Sequence, residues 1–237
     1  GAAEPIAASA PLAITVIGVN GTIPHLVRDL DAILPARSTV HLVSGEAHER
    51  VRALLGRVHP RQGSVVIDVD ERDAASLARD GSPRMCQADA VIILGDESLH
   101  DENVDASALA TLLRLRHATR RMSGAHVRVV TEVRDPRSAA HIAPSPRDCI
   151  VSSDVVAMLV AQTLLDPASA PAYGEILGPT GAWIALRSRD AVFGDRALTF
   201  ADAMSALRQR GDIAIGLFPD PRREPGDAEA TRRELEE

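Results

Sequence analysis

Apolar residues along the chain fall into two alternating patterns, short unbroken runs and longer stretches with apolar positions three and four apart. The first pattern predicts strands and the second predicts helices. Leu12 to Ile17 is a short run that ends at Gly18. Thr22 then stands where it could cap a helix reaching about Ile33, with Pro24 in its first turn and Pro35 as a stop. Thr39 to Val43 predicts a second strand, Glu46 to Leu55 a helix closed by Gly56, and Ser64 to Val69 a third strand. Asp73 to Arg79 predicts a short helix stopped by Gly81 and Pro83. Ala90 to Leu94 is wholly apolar, as expected of a strand buried on both faces.

The longest helix is expected from about Asp101 to Arg121, with Val104, Ala108, Leu112 and Leu115 on one face. Val127 to Thr131 predicts a fifth strand, Pro136 to His141 a short helix and Cys149 to Val151 a sixth strand. Ser153 is placed to cap a helix running through Leu165. Strands that alternate with helices imply parallel βαβ units, so the fold expected is α/β, a Rossmann-like doubly wound parallel sheet. From Pro171 to Phe218 the pattern changes to short apolar pieces (Trp183 to Leu186, Ile213 to Phe218) and one helix, about Phe200 to Arg210. This predicts a small C-terminal α+β appendage. The expected divisions are a disordered segment 1–11, a nucleotide-fold lobe 12–166, a small lobe 167–218 and a charged flexible tail 219–237.

Composition narrows the chemistry. The chain has 237 residues, long enough to bury a core without disulfides, and a net charge of -7. An acidic balance argues against nucleic acid as a partner. All 26 basic residues are arginine. A Walker-A loop, a pyridoxal Schiff base and a Tyr-Lys dehydrogenase pair each need lysine, so none is expected. One Trp, one Tyr and three Phe offer few platforms for stacking bases. The longest apolar run, Val155 to Ala161, is far shorter than the roughly 18 residues of a membrane span. Gly1 to Pro11 has no basic start, so no secretory leader is expected. Cys86 and Cys149 lack metal or redox spacing and suggest buried thiols in a reducing compartment.

The first strand-turn-helix junction reads Gly18-Val19-Asn20-Gly21-Thr22-Ile23. A dinucleotide fingerprint needs glycine at the positions held here by Asn20 and Ile23, where the backbone meets pyrophosphate and where helix packs on strand. Gly18, Asn20 and Gly21 therefore form a degenerate nucleotide loop, and no acidic ribose partner closes the second strand. Carboxylates gather instead after the third strand (Asp68, Asp70, Glu71, Asp73), the fourth (Asp96, Glu97, Asp101, Glu102, Asp105) and the fifth (Glu132, Asp135). Open α/β sheets bind ligands at such strand ends, and hard cations such as Ca²⁺ take about six to eight oxygen ligands. Asp68, Asp70, Asp96, Glu97, Asp101 and Glu132 are thus candidate metal ligands on one rim. Helix first turns also favour Asp and Glu, and Asp73, Asp101 and Glu102 fit that plainer role.

The eight histidines (His25, His41, His48, His59, His100, His117, His126 and His141) form no zinc motif. No G-x-S-x-G elbow is present, and position alone would pair Asp68 with Asp96 as acid and base. Arg114, Arg116, Arg120 and Arg121 suit the C-terminal dipole of the long helix. No catalytic residue is assigned.

The string VVIDVDERDAASLARDG, then ADAVIILGDES, then a long helix, then VVTEVRDP, resembles the RCK (regulator of potassium conductance) family. ILGDESLHDENVDASALATLLRLR, VRDPRS, IVSSDVVAMLVAQTLLD and ALRQRGDIAIGLF look more narrowly like the CASTOR/POLLUX ion channels, over roughly residues 12–218. The resemblance implies a non-enzymatic gating-ring unit on the cytoplasmic side of a membrane. It would form a dimer or ring, act on a separate transmembrane pore domain, and respond to calcium. The alternatives are an NAD(P)-binding oxidoreductase-like domain and a ligand-free assembly scaffold. The helix Ser153 to Leu165, apolar nearly all round, is the expected contact between copies.

Overall fold

The computed structural model describes residues 10–44, 48–57, 65–70, 87–97, 101–121, 127–140, 149–179, 181, 184–188, 192–194 and 199–216. The predicted helix at Asp73 to Arg79, the N-terminal segment before Ala10 and the tail 219–237 lie outside them, as do Cys86 and His59, His100, His126 and His141. Pro5 to Ile184 form one compact unit; Ala185 to Glu237 belong to a second.

The first unit is built on strands β1 (Ala13–Ile17), β2 (Thr39–Val43), β3 (Val66–Asp70), β4 (Ala90–Ile93), β5 (Arg128–Val133) and β6 (Cys149–Val151). They form one six-stranded sheet in the order β3-β2-β1-β4-β5-β6, and every pairing is parallel. The expected Rossmann-like arrangement is present. Its connecting helices are α1 (Ile23–Ile33), α2 (His48–Leu55), α3 (Asp101–Arg121), α4 (Pro136–Ala140) and α5 (Ser152–Leu165), followed by a 3-10 turn at Pro167–Ser169 and α6 (Ala170–Leu177).

Side-chain alternation along the strands divides the core between the two faces. Ile14, Val16, Val40 and Leu42 pack with Ile23, Val27 and Leu30 of α1 and Val51 of α2. Ile17, Val43, Val91 and Ile93 point the other way, onto Ala108, Leu112 and Leu115 of α3. The three- and four-residue spacing read along the long helix is thus its buried face.

Two strands reach further than their apolar runs suggest. β3 ends at Asp70, whose carbonyl accepts from Ser44 N at 3.0 Å, and β5 runs to Val133, paired with Val151. Ladder hydrogen bonds define a strand, and they take no account of side-chain polarity. Glu132, expected just after β5, therefore lies inside it, opposite Ile150.

Helix starts differ from expectation too. Thr22 makes no side-chain cap on α1; the Asn20 side-chain oxygen accepts from Thr22 N at 3.0 Å instead. Ser153 does not cap α5 either, and its hydroxyl donates to the Arg134 carbonyl at 2.6 Å.

In the second unit, the described residues include α7 (Phe200–Arg208) and no strand. Thr199 and Asp202 close a reciprocal capping box on α7. Ile213 and Ile215, in the short apolar piece Ile213 to Phe218, are both exposed. Among the described residues no helix is long and apolar enough to cross a membrane.

Candidate functional site

In the order β3-β2-β1-β4-β5-β6 the direction of winding reverses between β1 and β4, the switch point at whose carboxyl ends sheets of this kind carry their ligand crevice. Gly18 leaves β1 with φ +86°, and Leu94 N donates to the Ile17 carbonyl at 2.8 Å. A Cβ at Gly18 would lie 2.5 Å from the Leu94 carbonyl oxygen, so the two chains approach as closely as only glycine permits. Gly95 is confined by a side chain rather than by main chain, because its Cβ would meet Val104 Cγ1 at 2.7 Å.

Asn20 fills the place of the fingerprint's second glycine and is only 2% exposed. Its oxygen accepts from the Thr22 amide and hydroxyl, taking donors at the start of α1 that a phosphate would use. Its Nδ2 donates to Glu132 Oε2 at 3.0 Å, and the Gly95 amide reaches the same oxygen at 3.4 Å. The floor of the crevice is thus closed by an amide and a carboxylate belonging to the protein. Above it, Glu97 lies 3.5 Å from Arg50 Nη2 of α2 and 3.7 Å from Arg134 Nη2 after β5. These groups are all more than a third exposed, so the pairs contribute little stability.

The candidate ligands lie on one carboxyl edge of the parallel sheet but not at neighbouring strand ends. β2 and β1 lie between β3 and β4, so the ends of β3 and β4 are about 14 Å apart at strand spacing. Three neighbouring strand ends were expected; only those of β4 and β5 are neighbours. The same separation parts Asp68 from Asp96 and removes the acid-base pair suggested by position. Asp68 and Asp70 flank His41 instead, with Nδ1 3.1 Å from Asp68 Oδ2 and Nε2 3.6 Å from Asp70 Oδ2. The second distance is too long for a hydrogen bond, and the buried Nε2 makes none among the described residues. Asp96 is half-buried, while the side chains of Asp101 and Glu102, like Glu71 and Asp73, lie outside the described residues. Among the described residues no group of three or more His, Cys, Asp or Glu side chains is arranged to hold a metal ion.

Asp105 and Asp135 serve the backbone. Asp105 accepts from Arg134 N at 3.0 Å and from Asp135 N at 2.9 Å, tying α3 to the turn after β5. Replacing Asp105 with Ala leaves two part-buried amides without their acceptor. The expected loss is about 1–3 kcal/mol, read by urea denaturation, and Asp105→Asn should recover part of it. Asp135 accepts from the Arg137 amide and guanidinium, whose hydrogen bonds hold its carboxyl below the usual range.

The Asn20–Glu132 tie, the two arginines facing Glu97 and the aspartates around His41 were not evident in the sequence. Asn20 in place of a fingerprint glycine was the one local signal. Comparison with protein-family models and with curated proteins finds no match for this chain.

Proposed function

We propose that the chain is a ligand-sensing regulatory unit of a cation channel, a gating-ring domain of the CASTOR/POLLUX kind, responding to a divalent cation such as calcium. The observation that carries this reading is the switch-point crevice. Its phosphate-facing donors are turned onto Asn20 and Glu132, and Asp96 and Glu97 stand at its mouth. Donors already filled by Asn20 and Glu132 offer a phosphate little, and Arg50 and Arg134 face Glu97 at the mouth, which leaves the carboxylates of Asp96 and Glu132 to draw a cation. The degenerate loop Gly18-Asn20-Gly21 weighs against a nucleotide cofactor, and the missing lysine weighs against the dehydrogenase alternative.

A regulatory unit must also pass its signal to other subunits. Helix α5 supplies a surface for that purpose. Ser152, Val155, Leu159 and Thr163 form a half-covered stripe, while Val156, Met158, Val160, Leu164 and Leu165 are exposed. A homodimer or ring joined through α5 would bury that apolar area and act on a pore domain of the same channel, on the cytoplasmic side.

Thermal unfolding with Ca²⁺, Mg²⁺, NAD and ATP tests the reading. Ca²⁺ at a hundred times its Kd is expected to stabilise the chain by about 2.7 kcal/mol. Stabilisation by NAD alone would replace this reading with the oxidoreductase-like one, and no response to any ligand would leave an assembly scaffold.

A further inference from the structure

We infer that Glu132 is a resident anion: its carboxylate occupies the seat that an incoming phosphate or carboxylate would otherwise take, and so sets the crevice against anionic ligands. The inference deepens the cation-sensing reading above and rests on its view of the crevice. Three features of the structure support it. The seat is made of donors, Asn20 Nδ2 and the Gly95 amide, and both converge on the single oxygen Glu132 Oε2. Asn20 is buried and locked by the bonds from Thr22 to its own oxygen, so its NH₂ group cannot turn away to find water. The seat also adjoins the first strand-turn-helix junction, where sheets of this topology receive phosphate. A negative charge fixed there repels a second anion, the two seat donors are already satisfied, and the guanidinium groups of Arg50 and Arg134 at the mouth face Glu97.

A purely structural tie would need the Glu132 side chain as a whole; a resident anion needs only a carboxylate in the seat. Removal followed by replacement in solution separates the two. Glu132→Ala is expected to melt below the wild type and to regain at least half of the loss in sodium formate, compared with sodium chloride at equal ionic strength. The wild type should respond equally to the two salts. Glu132→Gln keeps an acceptor for Asn20 and Gly95 but carries no charge, so it provides the test if the alanine variant does not fold. Its side chain still fills the seat, so only the repulsion is lost, and the variant is expected to bind inorganic pyrophosphate at the crevice mouth at least tenfold more tightly than the wild type by calorimetry. Formate that does no more than chloride, or pyrophosphate affinity unchanged in Glu132→Gln, overturns the inference. Calcium responses of the wild type are scored separately: rescue by formate without any calcium response sinks the channel-sensor reading and leaves the resident anion standing.

Discussion

Gly18→Ala is expected to destabilise the sheet by about 2–5 kcal/mol, from left-handed strain and a steric clash together. The backbone at Gly18 has φ +86°, which a side chain tolerates poorly. The added Cβ would sit 2.5 Å from the Leu94 carbonyl oxygen, and main chain cannot step aside as a flexible side chain can. Leu94 is itself tied, its amide donating to the Ile17 carbonyl at 2.8 Å. Relief therefore requires β1 and β4 to part at the crevice, where Asn20 and Glu132 meet. Gly21→Ala, three residues on, is the control. Among the described residues no heavy atom beyond its two chain neighbours lies within 4 Å of its Cβ position, so that variant should unfold within about 0.5 kcal/mol of the wild type. Urea midpoints for the two variants check the prediction, and equal midpoints would refute it.

Met158→Glu is expected to raise the dissociation constant between copies at least about 100-fold, because an unpaired charge buried in an apolar contact costs roughly 3–5 kcal/mol. Met158 is 60% exposed in the single chain, and its neighbours Leu164 and Leu165 are 80% and 81% exposed. The same exposure means that the substitution should leave the fold intact. Light scattering after gel filtration reads the mass, and circular dichroism reads the fold. A monomeric wild type would overturn self-association altogether, and a variant with unchanged mass and a native spectrum would place the contact away from α5.

The sequence made the alternation of strands and helices legible because each element carries its own period, as Val104, Ala108, Leu112 and Leu115 do for α3. Strand order has no such local signature. Asp68 and Asp70 of β3 and Asp96 after β4 are near in sequence, but β2 and β1 lie between those strands, so reading them as neighbours joined groups that the topology parts. Glu132 was misplaced for a related reason. Its polarity looked like the end of a strand, whereas β6 pairs along β5 as far as Val133. Asn20 was noticed as a missing glycine. Its role as the hinge between Thr22 and Glu132 depends on a partner 112 residues away, which no local pattern encodes.

Arg134 stands at a crossroads. Its amide is held by Asp105 of the long helix, its carbonyl by Ser153 in the opening turn of α5, and its guanidinium faces Glu97 at the crevice mouth. One residue thus spans, like a crank, from the place where a ligand would arrive to the root of the greasy helix that would meet a neighbour. A single residue, rather than a relay of contacts through the sheet, therefore links Glu97 to the first turn of α5.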